Sequence, residues 1–372
     1  MRILFIIASL FCCIHCLSQD RYLFIGTYTG KGSKGIYVYR FNSATGDATW
    51  VSNTDSAIAP NPSFLSVAPN GKFLYAVYEE GGQKNGQVSA FSFNRTTGAL
   101  SFLNKQPSGG DHPCFVASTR DNKWVLTGNY TGGSLSAFRT NKDGSLQTSA
   151  QVIQHKGSSV NTARQEKPHV HATFLSPSED HVLVPDLGTD KVMIYKFNPA
   201  AKEPLVAAPQ PFAASEPGSG PRHLTFSPNG RVVYVIEELT GAVVTYSYNK
   251  GKLSFVQKAF THPKEFNGKP GSADIHMSPD GKFLYASNRG EENNLTIFSV
   301  NPANGKLTSV GYQSTLGSGP RNFTIDPSGR FLLVANQNSN NVVIFKRDTK
   351  TGLLTPTSKQ IELPNPVCLK ML

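Results

Sequence analysis

The feature that most constrains this chain of 372 residues is an internal repeat with a period of roughly fifty residues. Each copy begins with a Gly, Pro or polar residue and continues as an apolar run of strand length. A Ser-Pro-Asn-Gly-like turn follows, and then a second run rich in Val, Leu and Tyr. Seven copies occur, and they begin near Pro62, Pro113, Pro168, Pro221, Ser272, Pro320 and Pro366. A repeat of this length is typical of propellers and similar arrays.

The turns and runs inside each copy predict antiparallel strands. Segments 62–75, 221–234 and 272–285 each place a Pro early in the turn and Asn-Gly or Asp-Gly after it. Pro presets φ, and Gly accepts the positive φ that closes a hairpin. The flanking runs are β-branched or aromatic, which favours strands over helices. In the copy that begins at Pro221, two further strands follow near 242–248 and 252–258, so four strands form one blade.

The two ends of the chain complete each other. The last copy has only a first strand, from Pro366 to the terminus, whereas residues 21–30 match a second strand that has no first strand before it. Pairing these two strands in one blade closes the ring and removes free sheet edges. We therefore predict an all-β fold: a seven-bladed β-propeller with four-stranded blades, formed by a single domain over residues 19–372.

Residues 1–18 differ from the repeat. Arg2 precedes an apolar run at 3–17 that is too short and too weakly flanked to span a membrane, and small residues stand at −3 and −1 before Gln19. We predict a secretory signal peptide, a periplasmic or secreted protein, and no membrane attachment after cleavage. A lipoprotein anchor is the less favoured alternative, because Phe, Cys or His precedes each leader cysteine where lipidation sites carry a small residue.

The net charge of +11 makes an acidic small molecule the expected partner. Lys and Arg recur in solvated turns, no run of five basic residues occurs, and aromatic residues are not interleaved with Arg, so we predict no nucleic-acid binding. After the leader, the sequence contains only Cys114 and Cys368, in first strands of copies that are not neighbours. We expect both to be unpaired and buried. The sequence predicts no oligomeric state.

The repeat allows equivalent residues to be compared. In a blade the first strand runs away from one opening of the ring and the second returns to it. The start of the first strand and the end of the second therefore lie at the same opening, here called the mouth. The first-strand set, one residue after each start, comprises Ser63, Cys114, His171, Arg222, Ala273, Arg321 and Val367. The second-strand set, at the ends of the second strands, comprises Tyr28, Glu79, Tyr130, Leu187, Glu238, Arg289 and Gln337.

These residues suit chemistry on an anionic carbonyl compound. Arg can hold a carboxylate or a phosphate through two parallel hydrogen bonds. Glu238 can act as a general base toward water, and His171 can transfer a proton near neutral pH. Arg222 or Arg289 can stabilise an oxyanion. The structural alternative is that Arg222 and Arg321 form salt bridges with neighbouring blades.

Four further residues are predicted to bind substrate: Arg321, His169, Glu237 and Asn288. Glu237 is the rival of Glu238, because only one of two consecutive strand residues can point inward. Hydrogen bonds within the fold, rather than ligand binding, are expected for Asp186, His223, Asp274 and His276.

Several motifs of other enzyme classes are absent from the sequence. It has no Gly-x-Ser-x-Gly elbow, P-loop or Rossmann glycine pattern. His169 and His171 could ligate a metal from one strand face, but no nearby Cys or His completes a tetrahedral set. We predict no metal site and no cofactor.

Seven motifs carry a family resemblance: Glu-Lys-Pro-His-Val-His (166–171), Val-Pro-Asp-Leu-Gly-Thr-Asp-Lys (184–191), Gly-Pro-Arg-His (220–223), Glu-Glu-Leu (237–239), Ala-Asp-Ile-His-x-Ser-Pro-Asp-Gly (273–281), Leu-Tyr-Ala-Ser-Asn-Arg (284–289) and Pro-Arg-Asn-Phe-x-Ile-Asp-Pro (320–327). In combination they resemble the seven-bladed β-propeller lactonase family, which includes propeller-type 6-phosphogluconolactonases and a fungal carboxymuconate lactonising enzyme. The resemblance covers roughly residues 20–372.

The resemblance implies a function and a site. The site proposed for the muconate enzyme corresponds by motif position to His171, Glu238, Arg222 and Arg289. The family implies hydrolysis of a sugar-derived lactone by water attack, with no metal or organic cofactor. The alternatives are a muconate-type lactonising lyase and a non-catalytic, ligand-binding propeller. Because the predicted leader departs from the cytoplasmic bacterial members, an unphosphorylated sugar lactone or another acidic lactone is the expected substrate.

Overall fold

A computed structural model describes residues 20–82 and 85–372, so the predicted signal peptide lies outside the described residues. Within these residues, 28 strands form seven four-stranded antiparallel sheets, and the helical element is the 3-10 turn Gly30–Gly32. Each sheet is one blade of a closed ring. The predicted seven-bladed β-propeller is therefore confirmed. No helix of the described residues is long and apolar enough to cross a membrane.

The blades are numbered here by the copy that supplies their first strand, and their strands run from the channel outward. Blade 1 comprises Leu65–Val67, Phe73–Tyr78, Gln87–Phe93 and Leu100–Pro107. Blade 2 comprises Pro113–Ser118, Trp124–Asn129, Ser134–Thr140 and Leu146–Gln154. Blade 3 comprises Phe174–Leu175, His181–Asp186, Lys191–Phe197 and Leu205–Ala214. Blade 4 comprises Pro221–Phe226, Val232–Glu237, Ala242–Asn249 and Lys252–Phe260.

The remaining blades repeat the pattern. Blade 5 comprises Ser272–Met277, Phe283–Asn288, Asn294–Val300 and Leu307–Ser314. Blade 6 comprises Pro320–Ile325, Phe331–Asn336, Asn341–Arg347 and Leu354–Glu362. Blade 7 comprises Pro366–Met371, Asp20–Thr27, Tyr37–Asn42 and Ala48–Asn53.

Blade 7 closes the ring with strands from both ends of the described chain. Leu23 pairs with Met371 and Thr27 pairs with Pro366 across this antiparallel ladder. The backbone N–H of Leu372 also donates to the carbonyl of Tyr22 over 2.9 Å. The C-terminal strand thus covers the edge that the N-terminal strand would otherwise expose, as predicted.

Burial between blades holds the ring together. The second strand Phe331–Asn336 is buried at every residue, whereas the outer strand Leu307–Ser314 is mostly exposed. The inner strands therefore lie between the faces of two neighbouring blades, and the outer strands border solvent. Each fully buried Leu, Val or Phe contributes about 1.5–3 kcal/mol through the apolar surface that it removes from water.

The Ser-Pro-Asn-Gly turns lie at the opening opposite the mouth, here called the turn end. In the turn of blade 4, the N–H of Gly230 donates to the carbonyl of Ser227 over 2.8 Å. Gly230 has a φ of 68°, which a side chain would disfavour. The carboxamide oxygen of Asn229 accepts a hydrogen bond from the N–H of Arg231. These contacts explain why Asn and Gly recur in the repeat.

Two first strands are shorter than the repeat predicts, Leu65–Val67 of blade 1 and Phe174–Leu175 of blade 3. Blade 3 opens at Pro168 in the sequence, but its regular strand is only Phe174–Leu175. The carboxylate of Asp186 accepts the N–H of His169 over 2.8 Å, and this replaces a ladder bond. The register nonetheless survives, since the N–H of His171 still donates to the carbonyl of Pro185 over 3.0 Å.

The two cysteines of the repeat are both buried and unpaired, as predicted. Cys114 lies in blade 2, and Cys368 lies in blade 7. Both thiols fill space at the inner strands instead of forming a disulfide.

Candidate active site

A cavity of about 230 Å³ opens at the mouth of the ring. Five lining residues belong to the second-strand set and three to the first-strand set, and the ninth comes from a loop. They are Tyr28, Glu79, Tyr130, Glu238, Arg289, Cys114, His171, Arg321 and Arg164. Residues spread over more than 290 positions of sequence therefore meet around one space.

A β-bulge aims most residues of the first-strand set into the channel. In blade 4, Pro221 pairs with Glu237 and His223 pairs with Ile236, so Arg222 is left without a partner in the ladder. The same shift leaves out Arg321 in blade 6. An extra residue of this kind re-aims its side chain, and bulges are common next to active sites. The bulges thus explain why these side chains face the channel instead of the neighbouring blade.

Glu238 is surrounded by three arginines. Its Oε2 lies 2.9 Å from Nε of Arg222 and 3.2 Å from Nη2 of Arg289. Its Oε1 accepts a hydrogen bond from Nη2 of Arg164 over 2.6 Å. Arg222 also donates to the carbonyl of Ala273. Both carboxylate oxygens therefore have cationic partners.

The three arginines determine the charge state of Glu238. Burial alone would raise the pKa of this carboxyl, but Arg289, Arg222 and Arg164 outweigh burial and lower the pKa to about 2. Burial and the nearby Arg289 lower the pKa of Arg222 to about 10. At pH 7 the carboxylate is ionised and the guanidinium groups keep their protons.

Arg321 differs from the other cavity arginines. Among the described residues, its guanidinium makes no hydrogen bond or ion pair, and its contact is with the ring of Tyr28, 5.5 Å from the ring centroid. Glu79, the second carboxylate of the cavity, instead accepts hydrogen bonds from Tyr28 and Ser63. Arg321 is therefore a cationic group whose donors are all free for a ligand.

The cavity carries an excess of positive charge. Four guanidinium groups, those of Arg164, Arg222, Arg289 and Arg321, lie in or directly below it, against the carboxylates of Glu79 and Glu238. Two positive charges therefore remain uncompensated by carboxylates. In a partly enclosed site with reduced screening, this charge favours an anionic ligand.

His171 forms part of the cavity floor. It is buried, with Nδ1 3.8 Å from Sγ of Cys114, and its ring meets that of Tyr130 edge-on at 5.4 Å. Burial and the positive charge of Arg222 hold the pKa of His171 well below its usual range. The imidazole is therefore neutral at pH 7 and has a lone pair that can accept a proton. Burial raises the pKa of the Cys114 thiol, so this group is not a ready nucleophile.

Arg164 is the cavity residue that the repeat did not reveal. It lies in the loop between blades 2 and 3, within a segment whose irregularity is visible in the sequence. The next residue, Gln165, is fully buried and donates to the carbonyl of Leu187 and to the carboxylate of Asp190, each over 2.8 Å. A Cβ on Gly188 would lie 1.9 Å from the carbonyl oxygen of Lys167, so the loop packs against a position that only Gly permits.

Three residues predicted to bind substrate do not line this cavity: Glu237, Asn288 and His169. The first two point into their blade. Glu237 is fully buried and bonds to Thr240 and Lys258, on the opposite side of its strand from Glu238. Asn288 is also fully buried, and its carboxamide bonds to Thr261, which follows blade 4, and to Ser272, Asn294 and Thr296 of blade 5. For both, strand alternation turns the side chain into the blade.

His169 lies next to the cavity rather than in it. Its ring stacks on Tyr130 at 4.5 Å, and its two nitrogens face the carbonyl of Tyr130 and the carboxylate of Glu166. These contacts make it a support for Tyr130. Within residues 20–82 and 85–372, no group of three or more His, Cys, Asp or Glu could hold a metal ion.

Known proteins are similar to this chain in sequence and in fold over nearly its whole length. Residues 22–371 match the sequence model of the family described as "Lactonase, 7-bladed beta-propeller". A protein from Formosa agariphila named 6-phosphogluconolactonase is 40% identical over 351 residues, which are 94% of this chain and 99% of the relative.

Two solved structures are similar to this one. A putative 6-phosphogluconolactonase from Bacteroides fragilis is 42% identical with a TM-score of 0.90, over 95% of this chain and 98% of its own. A periplasmic gluconolactonase from Pseudomonas aeruginosa is 37% identical with a TM-score of 0.90, over 95% and 99% of the two chains. The chain therefore belongs to the seven-bladed β-propeller lactonase family and is a lactone hydrolase.

Proposed function

We propose that this enzyme hydrolyses a sugar-derived lactone and holds an anionic group of the substrate or product with arginine. The observation that carries the proposal is the mouth cavity itself, where two uncompensated positive charges surround a neutral histidine. Hydrolysis of a lactone creates a carboxylate, and a phosphorylated sugar adds further negative charge. Relatives named 6-phosphogluconolactonase and gluconolactonase support both kinds of substrate.

Arg321 is assigned to the anionic group. Its donors make no hydrogen bond to the described protein, so binding a carboxylate or phosphate requires no existing bond to break. A guanidinium can bind such a group through two parallel hydrogen bonds. Arg289, which is partly exposed and lines the cavity, is assigned to the oxyanion that forms at the attacked carbonyl.

His171 is assigned as the base that activates water, in preference to Glu238, which the sequence had suggested. With a pKa of about 2 and three arginine partners, Glu238 has little tendency to accept a proton. His171 is neutral and lines the same cavity, and the rest of its ring makes no strong hydrogen bond. Glu238 is then the group that holds Arg222, Arg289 and Arg164 in place.

The reaction follows from these assignments. A water gives a proton to His171 as its oxygen bonds to the lactone carbonyl carbon, and Arg289 stabilises the resulting oxyanion. The ring C–O bond then breaks, and the leaving oxygen takes the proton back from His171. The new carboxylic acid ionises, so one proton is released for each lactone opened.

A pH-stat assay tests this function, because it counts that released proton directly. The chain without residues 1–18 would be assayed against δ-gluconolactone, its 6-phosphate and an uncharged aliphatic lactone, with spontaneous hydrolysis subtracted. We expect turnover of at least one sugar lactone and little of the aliphatic one. Lactone formation from a muconate-like acid, or binding of sugar acids without turnover, would instead favour the lyase or the non-catalytic alternative.

The compartment is a second part of the proposal. The apolar leader at 1–18 supports export, and a relative described as periplasmic shares 37% identity with this chain. Cell fractionation of the full-length chain and of a chain lacking the leader tests it. Export predicts a shorter, mature form outside the cytoplasm for the first and cytoplasmic retention for the second.

A further inference from the structure

A second, much smaller cavity lies directly below the first in the central channel. Its volume is about 10 Å³, close to the space that one water molecule needs. Cys114, His171 and Arg321 line both cavities and so form the partition between them. Arg222, His223 and Asn322 also contribute polar atoms to its lining. The size and polarity of this space suit a single bound water.

His223 connects this small cavity to a buried carboxylate. Its Nδ1 lies 2.8 Å from Oδ1 of Asp274. The other oxygen of Asp274 accepts hydrogen bonds from Asn322 and from Nε2 of His276, the latter over 2.8 Å. Asp274 is therefore fixed by His276 of its own strand and by Asn322 of blade 6, and it fixes the ring of His223 in turn. The carboxylate accepts, so Nδ1 of His223 carries the proton and Nε2 carries the lone pair.

The lone pair of His223 has no partner in the described structure. Nε2 is buried and makes no hydrogen bond. The ring is surrounded by Phe64, Phe115 and Phe174, and it meets His171 edge-on with 5.2 Å between centroids. A buried polar atom without a partner is costly, and at a site of this kind it indicates a use.

A second histidine–aspartate pair in the same protein provides the contrast. Nδ1 of His155 lies 2.7 Å from Oδ2 of Asp186, and both groups are buried. The remaining nitrogen, Nε2, meets the hydroxyl of Tyr195 at 3.0 Å. Both ring nitrogens of His155 therefore have hydrogen-bond partners, and the pair supports the loop between blades 2 and 3. Only the His223 pair of these two leaves a nitrogen free beside the channel.

The charges around His171 make a proton acceptor useful. After His171 takes a proton, the resulting imidazolium lies close to Arg222 and Arg321, which disfavour it. Burial and Arg222 also lower the pKa of His223, to about 4, while Asp274 partly offsets them. Since both rings are weakened as bases by the same surroundings, neither one traps the proton.

We propose that His223, oriented by Asp274, is a positioning residue that takes the excess proton from His171 through one water in the small cavity. The proposal rests on the lactonase function above. Ionisation of the new carboxylic acid leaves one proton, and in a single concerted step His171 accepts it on one nitrogen while its other nitrogen gives a proton to the water and the water gives one to Nε2 of His223. The Nδ1 proton stays in its bond to Asp274, which compensates the imidazolium charge. When the product leaves, the proton returns by the same path to solvent.

The experiment compares His223→Gln with His155→Gln in the pH-stat assay on the sugar lactone that the wild-type chain hydrolyses. Gln keeps a donor for each carboxylate but cannot carry a proton between two nitrogens. We expect His223→Gln to lower kcat by about 10-fold or more with KM within twofold. His155→Gln should lower the melting temperature and leave kcat within twofold. A His223→Gln enzyme with unchanged kcat, or equal losses of kcat in both variants, would overturn the proposal.

A measurement on the wild-type chain covers the case in which His223→Gln does not fold. The dependence of kcat on the fraction of D₂O should curve, because two or more protons move together through His171 and the water. A linear dependence would show a single moving proton and overturn the proposal. If the wild-type chain opened no lactone at all, the proposed function would fail, and that result differs from either outcome above.

Discussion

The two ends of the ring are built from the same repeat but carry different kinds of residue. At the turn end four copies keep Pro followed by Asn, Asp or Ser and then Gly, and side chains there bond to the protein itself. Arg347 there is buried and bonds to Asp280, to the carbonyl of Gly329 and to the hydroxyl of Tyr285. At the mouth the copies diverge, and Arg321 has no hydrogen bond or ion pair among the described residues. Departure from the repeat, rather than polarity, distinguishes the end of the ring to which we assign the function.

Cavity size alone would not have identified the site. The turn end contains a cavity of about 600 Å³ between blades 4 and 5, against about 230 Å³ at the mouth. The larger one is lined by the turn residues of the repeat, such as Pro228, Asn229, Gly281 and Asn304. Polar groups in its lining bond to the protein itself, as Asp280 does to Arg347 and the hydroxyl of Tyr234 does to the carbonyl of Gly305. The smaller cavity has the uncompensated charge and the neutral imidazole, which are the properties that chemistry needs.

The largest expected effect is at His171. His171→Gln removes the proposed base, so kcat should fall about 100-fold or more while KM changes little. The matched control is His181→Gln, a buried histidine at the turn end that contacts Asp180. It should leave kcat within twofold. Equal activity in the two variants would erase the distinction between the ends of the ring.

The acid side of the pH profile tests the same residue without a mutation. A base is active when deprotonated, so kcat/KM falls as pH drops through its pKa. Because the pKa of His171 is held well below 6.5, kcat/KM should stay flat from pH 8 through pH 6.5 and fall only at lower pH. An inflection near pH 6.5 would point to a histidine in an ordinary environment.

The next largest effect is expected at Arg321, and Arg347 at the turn end is its comparison. Arg321→Met should raise KM for the 6-phosphate of δ-gluconolactone about 10-fold or more, because a charged hydrogen-bonded pair with the substrate is lost. Its thermal stability should change little. Arg347→Met should instead lower stability by about 1–3 kcal/mol, since it leaves the buried carbonyl of Gly329 without its donor, and KM should not move. Urea unfolding and steady-state kinetics on both variants separate the two roles.

Glu238 should matter to stability in a pH-dependent way. Its pKa is lower in the folded than in the unfolded chain, so the unfolded state binds more protons and stability falls as pH drops from about 4.5 to about 2. The contribution present at neutral pH is about 3 kcal/mol. Glu238→Gln should therefore unfold more easily at pH 7 and lose less stability on acidification. Chemical unfolding of both proteins at pH 7 and pH 3 measures the difference, and parallel pH dependences would contradict the assignment.

The smallest expected effect is at Arg164. Its guanidinium is partly exposed, and it contacts Glu238 and Tyr130 at the edge of the cavity. A partly exposed ion pair contributes about 0–1 kcal/mol, so Arg164→Gln should raise KM by less than about 5-fold. An effect as large as that of Arg321→Met would mean that the loop carries the anion-binding group and that the mouth strands do not.

The fold could be predicted because the repeat is local and self-consistent. Each turn contains the Pro, Asn, Asp or Gly residues that a hairpin requires. The lone first strand at one end of the chain pairs with the lone second strand at the other. The placement of Arg222 and Arg321 at the mouth also followed from their position within the copy. The bulges that aim them were not visible in the sequence, but they recur at the same position of the repeat and so leave the alignment intact.

The rest of the site could not be predicted for two physical reasons. Arg164 lies in a loop that belongs to no copy, so no alignment places it, and its position depends on distant contacts of Gln165 and on the absence of a side chain at Gly188. Asn288 occupies a position that alternation turns into the blade, although its neighbour Arg289 faces the cavity. The charge state of Glu238 depends on three arginines from different elements, which composition does not reveal.

A crystal structure with the sugar-acid product bound tests the central claim most directly. The account predicts density for the product in the mouth cavity, with an anionic group on Arg321 and the carboxylate near Arg289 and His171. Product bound instead in the turn-end cavity lined by Pro228 and Asn304, in crystals of an enzyme that turns over the lactone, would contradict it.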